Sequence, residues 1–204
     1  MQTVLYTQRV EVVENYQERR DCADQRIADF IAICGFLPVP VPNKSEILEN
    51  FVRQLRPAGI VLTGGNSLEK YGGNAPERDR TDQKLIEIAL EKDIPLYGFC
   101  RGMQSILDYF GNDLVEVKGH IAVRHNIYGE NGTKEVNSFH GQACVKLADE
   151  SELKVVSRTV DNVIEEICHQ KYFICGTMWH PEREKEFQET DIMNIKKLFG
   201  RERL

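Results

Sequence analysis

Apolar runs and amphipathic stretches alternate along the first half of the chain. Continuous apolar or extended runs predict short strands, and apolar positions spaced by three and four residues predict helices that pack one face against a core. The predicted strands cover residues 4–7, 37–41, 59–63 and 94–99, and the predicted helices cover residues 27–34, 45–55, 82–90 and 101–110. This alternation implies right-handed crossovers and a mostly parallel sheet flanked by helices on both faces.

Two polar segments interrupt this alternation. Residues 14–20 are rich in charge and predict a solvated loop. Residues 67–80 contain two glycines and Pro76, and their length is typical of a functional loop rather than of a simple connection.

The second half of the chain has a different pattern, with several extended pieces and few helical stripes. The extended pieces cover residues 114–118, 135–139, 143–147, 153–160, 163–168 and 172–179. Residues 161–162 predict a tight turn between two of them, and apolar spacing predicts a final helix over residues 191–199. The chain shows no repeat and no linker, so residues 1–204 are expected to form a single α/β domain with a small antiparallel addition.

Composition narrows the class of protein. The 204 residues are 41% hydrophobic and 28% charged with a net charge of −6, which argues against general binding to nucleic acid or to anionic membranes. No apolar run is long enough for a membrane span, and the first residues lack the pattern of a signal peptide. Six scattered cysteines without metal-ligand spacing argue against a disulfide scaffold and favour a reducing cytoplasm.

A candidate nucleophile lies at the junction of a predicted strand and a predicted helix. Residues 98–102 read Gly-Phe-Cys-Arg-Gly, which places Cys100 on a sharp turn between two glycines. This pattern is the thiol counterpart of the Gly-x-Ser-x-Gly nucleophile elbow, and a helix N-terminus beside sulfur favours the reactive thiolate. Taken alone, the pentapeptide is equally compatible with a small buried thiol in a core.

A candidate base lies near the end of the chain. His180 follows an apolar strand in the segment Trp-His-Pro-Glu, where Glu182 can reach back to orient the imidazole. A thiol nucleophile needs such a base together with donors for an oxyanion. On its own, the same segment is more often a strand-ending turn with a solvated carboxylate.

Three motifs in order resemble the class I glutamine amidotransferase fold, which is flavodoxin-like. They are the Gly-Gly pair that follows the strand at residues 59–63, the elbow at residues 98–104 and the segment at residues 179–182. The resemblance spans nearly the whole chain and implies a Cys-His-Glu triad that attacks a γ-glutamyl carbonyl. Residues 136–142 and 76–79 are similar to the stand-alone γ-glutamyl hydrolases, including those that act on γ-glutamyl-γ-aminobutyrate.

The resemblance assigns roles to individual residues. Cys100 is the expected nucleophile, His180 the general base and acid, and Glu182 the group that orients His180. Two backbone N–H groups, those of Gly65 and Arg101, are expected to form the oxyanion hole. The expected substrate-binding side chains are Gln104, Asn137, Ser138, Phe139 and His140.

The N-terminal residues 18–26 are similar to amidotransferase-like proteins of surface-polysaccharide modification, among them hydrolases that cleave γ-glutamyl-CDP-amidate to cytidine diphosphoramidate and L-glutamate. This resemblance makes that conjugate the sharpest substrate hypothesis. Arginine side chains suit a diphosphate because the guanidinium binds it bidentately. The candidates are Arg19, Arg20, Arg26, Arg78, Arg80 and Arg124, for each of which a solvated surface position is the simpler interpretation.

Other functions stay open at this point. The hydrolase could act on another small γ-glutamyl amide, or the chain could be a glutaminase subunit that feeds ammonia to a synthetase, which then has to be a separate partner. A non-catalytic binding module of the same fold is a third possibility. The expected partner is a small γ-glutamyl substrate, with a homodimer left open, and the chemistry calls for no metal or organic cofactor.

The remaining histidines and cysteines carry weaker expectations. His120, Arg124 and His125 fall in a segment predicted to be irregular, where solvated loop residues are the simplest interpretation. Cys168, His169 and Cys175 have no ligand spacing and are interpreted as strand residues.

Overall fold

The protein is built around a mixed β-sheet. The computed structural model describes residues 1–130 and 132–202, and within them nine strands form this sheet. Their spatial order is β4 (Leu37–Pro40), β1 (Thr3–Tyr6), β5 (Gly59–Leu62), β6 (Leu96–Phe99), β13 (Ile174–Thr177), β12 (Ile164–His169), β11 (Leu153–Arg158), β8 (Ile121–Gly129) and β9 (Gly132–Phe139). Strands β4 to β13 in this order pair in parallel, and the strands from β12 to β9 continue the sheet antiparallel. The predicted parallel sheet with an antiparallel addition is confirmed.

Helices cover both faces of the parallel half. They are α1 (Gln25–Ile33), α2 (Leu48–Leu55), α3 (Pro76–Lys92), α4 (Arg101–Tyr109) and α5 (Glu189–Phe199). Strand β5 shows why both faces are needed, because Ile60 and Leu62 join one apolar cluster and Val61 joins the other. The first cluster packs against α2, α3 and α4 and the second against α1 and α5, so the continuous apolar run of the strand is buried on both sides.

Helix α3 begins earlier than its apolar spacing predicts. It starts at Pro76 rather than at residue 82, and a 3₁₀ turn at Glu69–Tyr71 occupies part of the predicted loop over residues 67–80. Proline suits the first helical position because its φ is already helical and its missing N–H is not needed there. The first turns bury polar side chains, including Arg78 and Asp82, and an apolar pattern cannot reveal such turns.

The charged residues 14–20 do not form the predicted loop. Strands β2 (Arg9–Val13) and β3 (Glu18–Cys22) pair as an antiparallel hairpin around a 3₁₀ turn. Asn66 attaches this hairpin to the end of β5, since its side chain accepts from the Val10 N–H at 2.8 Å and donates to the Val10 carbonyl at 3.0 Å. Most side chains of the hairpin are exposed, so no apolar alternation marks its strands.

The antiparallel half departs from prediction in two places. Residues 121–129, part of which was predicted to be irregular, form the long strand β8, which pairs along its length with β9. The predicted extended pieces near residues 114–118 and 143–147 reduce to β7 (Val115–Glu116) and β10 (Gln142–Ala143), which pair with each other outside the main sheet. The predicted turn at residues 161–162 is confirmed, with the Asn162 N–H donating to the Thr159 carbonyl at 3.1 Å.

One covalent link was not predicted. Cys168 and Cys175 are directly paired residues of β12 and β13, and a disulfide joins them. Sequence spacing could not reveal this link, because it depends on the register of the two strands. Among the helices described, none has the length and apolar character needed to cross a membrane.

Candidate active site

The turn between β6 and α4 presents a cysteine in an uncommon backbone conformation. Cys100 has φ 50° and ψ −111°, and residues other than glycine rarely adopt a positive φ. The glycines on each side permit close packing here. A Cβ added at Gly98 would lie 2.6 Å from the Gly102 carbonyl carbon, and one added at Gly102 would overlap the Leu62 carbonyl oxygen of β5. The predicted elbow is therefore present, with the thiol at the carboxyl end of the parallel strands.

A histidine–carboxylate pair lies at the end of the neighbouring strand, β13. His180 Nδ1 is 2.7 Å from Glu182 Oε1, and both side chains are buried. The rings of Phe99 and Phe139 lie edge-on to the imidazole, with centroids 5.5 and 5.6 Å away. The carboxylate of Glu182 fixes which nitrogen of His180 carries a proton, and the two aromatic rings fix the plane of the imidazole. The second ring nitrogen, Nε2, is therefore the one that can exchange a proton with another group.

The charge of this histidine is set by its neighbours. Burial lowers the pKa of His180, but the charge of Cys100 and its hydrogen bond with the imidazole, together with Glu182, outweigh burial and raise the pKa to about 9. The imidazolium is therefore favoured at neutral pH.

Two residues hold the backbone around the histidine. The side chain of Asn137 accepts from the His180 N–H at 2.9 Å and donates to the His180 carbonyl at 2.8 Å. From the other side, the guanidinium of Arg26 donates to the carbonyls of Glu182 at 2.7 Å and Glu184 at 2.5 Å. The segment that carries His180 and Glu182 is thus fixed by both α1 and β9.

A buried arginine holds the Gly-Gly loop that follows β5. Arg78 is fully buried and donates to the Gly65 carbonyl at 2.5 Å and to the Thr63 carbonyl at 2.6 Å. These carbonyls belong to the peptides on either side of the one that carries the Gly65 N–H. Burial lowers the pKa of Arg78 to about 9, which still leaves the guanidinium charged at neutral pH.

The second predicted oxyanion donor is the backbone N–H of Arg101. It begins α4, where the first N–H groups of a helix have no intrahelical partner. The Arg101 side chain points elsewhere, because it is buried and forms ion pairs with Asp79 and Asp82 of α3. Only the main chain of Arg101 therefore fits the predicted role.

The predicted catalytic residues meet at one cavity of about 490 Å³. Cys100 and His180 line it, while Glu182 lies behind His180. The predicted residues that also line it are Gly65, Arg101, Gln104, Phe139 and His140.

Two predicted substrate contacts do not reach the cavity. Asn137 is buried and hydrogen bonded to the backbone of His180, as described above. Ser138 is fully buried, and its hydroxyl donates to the His120 carbonyl at 2.6 Å. Both side chains have internal partners and are absent from the cavity lining, so their expected role in substrate binding stays a prediction that this placement does not support.

The arginines predicted to meet an anionic leaving group are also placed elsewhere. Arg19 pairs with Glu77, Arg20 with Glu18, and Arg124 with Glu135 and Glu184, while Arg26 and Arg78 bind backbone carbonyls and Arg80 is exposed outside the cavity lining. The cationic side chains at the cavity are instead those of Lys118 and Arg183. Arg183 lies over the Phe139 ring at 4.4 Å with its Nε 3.7 Å from Glu182 Oε1, and Lys118 is exposed.

Comparisons with known proteins identify the family of this chain. The family model of class I glutamine amidotransferases matches residues 18–197. A γ-glutamyl-CDP-amidate hydrolase of Campylobacter jejuni is 33% identical over 192 residues, which cover 92% of this chain and 93% of the relative. A γ-glutamyl-γ-aminobutyrate hydrolase of Escherichia coli is 28% identical over 78% of this chain and 77% of the relative. One subunit of a glutamine-hydrolysing GMP synthase from Methanosphaera stadtmanae is 32% identical over 70% of this chain and 73% of the relative.

A solved structure shares the fold. The crystal structure of a putative GMP synthase subunit from Thermoplasma acidophilum matches 98% of this chain and 94% of its own, with a TM-score of 0.70 at 19% identity. At this identity the likeness concerns the fold alone.

Proposed function

The chain belongs to the class I glutamine amidotransferase family, and on that premise we propose that it is a cysteine hydrolase that cleaves a γ-glutamyl C–N bond and releases L-glutamate. The observation that carries the proposal is the shared cavity. It is lined by Cys100 on its strained turn and by His180, whose other side is held by Glu182 at 2.7 Å.

The first half of the reaction forms a thioester. The Cys100 thiolate adds to the γ-carbonyl carbon, and the N–H groups of Gly65 and Arg101 donate to the oxyanion. As the C–N bond breaks, the His180 imidazolium gives its proton to the departing nitrogen. The amine or phosphoramidate leaves, and a γ-glutamyl thioester remains on Cys100.

The second half restores the enzyme. His180, now neutral, takes a proton from a water molecule whose oxygen attacks the thioester carbon. The thioester C–S bond breaks, L-glutamate leaves, and the thiolate–imidazolium pair returns. Glu182 keeps the imidazole oriented in both halves and stabilises its charged form.

The proposed substrate is γ-glutamyl-CDP-amidate, which would place the reaction in capsule polysaccharide modification. The hydrolase from Campylobacter jejuni supports this choice, because it matches more of this chain at higher identity than the γ-glutamyl-γ-aminobutyrate hydrolase does. The cavity supports it as well. Lys118 and Arg183 are two exposed cations in its lining that can bind a diphosphate. Gln104 of α4, Phe139 at the end of β9 and His140 line the cavity as well.

Paired measurement of glutamate and ammonia tests the reaction. The protein is incubated separately with γ-glutamyl-CDP-amidate, γ-glutamyl-γ-aminobutyrate and L-glutamine, beside a Cys100→Ala control. We expect fast glutamate release from the nucleotide conjugate, little from the other two and none from the variant, since members of such a triad act as a unit. Full activity of Cys100→Ala would contradict the thioester route.

Charge removal at the rim tests the leaving group. Lys118→Met and Arg183→Met should each raise KM for γ-glutamyl-CDP-amidate about tenfold or more, because hydrogen bonds to charged groups contribute about 1.5–3 kcal/mol. KM for a neutral γ-glutamyl amide should change little. The matched control is Arg80→Met, which removes an exposed arginine outside the cavity. Equal effects on both substrates would overturn the diphosphate assignment.

A glutaminase subunit is the second candidate, favoured by the match to the GMP synthase subunit. This alternative predicts weak glutamate and ammonia release from L-glutamine by the isolated chain. A synthetase partner would then raise that release strongly. Matching amounts of glutamate and ammonia from glutamine alone would favour it over the proposed hydrolase.

A further inference from the structure

Three histidines surround one buried carboxylate beneath the wall of the cavity. Glu165 of β12 has no exposed surface, and His120 and His140 are nearly as buried. Three ring nitrogens face Glu165 Oε1, with His140 Nε2 at 3.2 Å, His125 Nε2 at 3.3 Å and His120 Nδ1 at 3.6 Å. The sequence placed two of these histidines in an irregular segment, and the pairing of β8 with β9 brings all three together.

Hydrogen bonds within the protein leave this cluster incomplete. Across residues 1–130 and 132–202, four buried side-chain atoms of the cluster have no hydrogen-bond partner, namely His120 Nδ1, His125 Nε2, His140 Nδ1 and Glu165 Oε2. Buried polar atoms are normally paired, so these orphans need an explanation. A cation that accepts lone pairs from imidazole nitrogens and from a carboxylate oxygen would satisfy His120 Nδ1, His125 Nε2 and Glu165 Oε2.

His120 has a second carboxylate partner of the kind that usually accompanies a metal-ligating histidine. His120 turns Nδ1 toward Glu165, while its Nε2 lies 3.0 Å from Asp161 Oδ2. A ligating histidine usually donates its other ring N–H to a carboxylate, which fixes the tautomer and raises the basicity of the ligating nitrogen. Asp161 is half exposed, so it also marks a side from which an ion can reach the cluster.

From this arrangement we propose a zinc-class metal site formed by His120, His140 and Glu165. One potential ligand atom from each of the three lies within 4.8 Å of the others. Imidazole and carboxylate ligands at about 2.0–2.2 Å are those that Zn²⁺ takes, and ligand atoms around such a tetrahedral ion are about 3.3 Å apart. His125, which faces the same carboxylate, is the candidate fourth ligand.

The site is separate from the proposed chemistry. Neither Cys100 nor His180 belongs to it, and the thioester route needs no metal. His140 is the link between the two, because it lines the cavity while its Nε2 faces Glu165. An ion held here would stabilise the β8–β9 pair and fix the cavity wall at His140.

The test measures metal binding in a variant that cannot use the catalytic pair. A Cys and a His that share a cavity can themselves bind zinc, so tag-free Cys100→Ala is stripped with chelator and titrated with Zn²⁺. We expect one ion per chain and a rise in Tm of roughly 5–10 °C at a zinc concentration about 100 times Kd. No binding by this variant, or no rise in Tm, would overturn the proposal.

Second substitutions locate the ion. Adding Glu165→Gln or His120→Gln to Cys100→Ala should weaken binding at least tenfold, since loss of a ligand or of its carboxylate support weakens metal affinity strongly. Glu166→Gln is the matched control, because it changes the adjacent glutamate of β12, which lies outside the cluster. Equal binding in all of these proteins would place the ion elsewhere.

A spectroscopic readout covers the case in which a cluster variant does not fold. Co²⁺ bound to the unsubstituted protein should show d–d bands of a nitrogen and oxygen site and no thiolate charge-transfer band. A thiolate band in the unsubstituted protein that disappears, together with all binding, in Cys100→Ala would overturn the proposal. These readouts do not use hydrolysis, so they stand or fall independently of the proposed function.

Discussion

Cys100 and His180 are coupled through charge at the scale of single residues. The pKa of His180 rises from an ordinary value near 6.5 to about 9 because the thiol charge and Glu182 stabilise the imidazolium more than burial opposes it. A group whose pKa is raised on folding contributes stability that is fully present below its unfolded pKa. For His180 that contribution is lost as the pH rises from about 6.5 through about 9.

The pH profile of kcat/KM should reflect this coupling. We expect activity to fall above about pH 9, where the imidazolium that protonates the leaving nitrogen titrates. Glu182→Gln removes one source of the shift, so the alkaline limb should move to lower pH and the rate should drop about 10²–10⁴-fold. Rates measured between about pH 6 and about pH 10 for both proteins check this. An unchanged limb in the variant would contradict the assigned role of Glu182.

We expect Arg78 to position the loop that carries the predicted oxyanion donor, the Gly65 N–H. Arg78→Met would leave the Gly65 and Thr63 carbonyls without this donor, and each buried acceptor left unpaired costs about 1–3 kcal/mol. Because the Gly65 N–H lies between these carbonyls, kcat should also fall by up to about 10²–10³ with a smaller change in KM. Arg78→Lys should recover part of kcat. A loss of stability with kcat unchanged would restrict Arg78 to a structural role.

Close backbone contact between elements shapes the elbow. Helix α4 contacts β5 at Gly102, where a methyl group would overlap the Leu62 carbonyl. Because Gly102 has no side chain, the start of the helix and the thiol before it can lie this close to β5. Apolar spacing predicted the elements on both sides of the elbow well, because their buried faces are apolar. The β2–β3 hairpin and β8 were missed because their side chains are largely exposed, so that backbone pairing rather than burial defines them.

Gly102→Ala tests this contact between elements. We expect the free energy of unfolding to fall by about 1–3 kcal/mol, as for other overpacked sites, with loss of activity as α4 shifts. The control is Gly141→Ala, where the added methyl meets only the Ile121 Cδ1 atom at 3.3 Å. Denaturant unfolding of the two variants provides the comparison, and equal stabilities would show that α4 moves away at no cost.

At the scale of the whole molecule, the antiparallel half holds the backbone of a predicted catalytic residue at the end of the parallel half. Asn137 on β9 holds both backbone groups of His180, which follows β13, and the two strands lie at different places in the sheet order. Strand β9, an edge of the sheet, holds the His180 segment through this amide and lines the cavity through Phe139.

Asn137→Ala should therefore reduce both stability and kcat. Two buried hydrogen bonds are lost, which corresponds to about 2–3 kcal/mol of unfolding free energy, and the freed His180 segment should lower kcat at least tenfold. Asn112→Ala is the control, since Asn112 is equally buried, donates to the Leu107 carbonyl of α4 and accepts from the Ala148 N–H. The prediction is wrong if both variants lose stability and neither loses kcat.

The sequence alone determined the order of strands and helices in the parallel half, the elbow at Cys100 and the segment with His180 and Glu182. These features are local, because an apolar run, a glycine pair around a turn and a carboxylate two residues from an imidazole are each contained in a few consecutive residues. The structure brings Cys100 and His180 to one cavity, with Glu182 behind His180, while their catalytic roles stay a prediction.

Only the tertiary structure decided what the polar side chains do. Arg19 meets Glu77, Arg26 meets the carbonyl of Glu182, and His140 meets Glu165, all partners far away along the chain. Register between neighbouring strands likewise decided that Cys168 faces Cys175. A charged or polar side chain binds whichever partner the fold brings within about 3 Å, and that distance is set by packing rather than by local pattern.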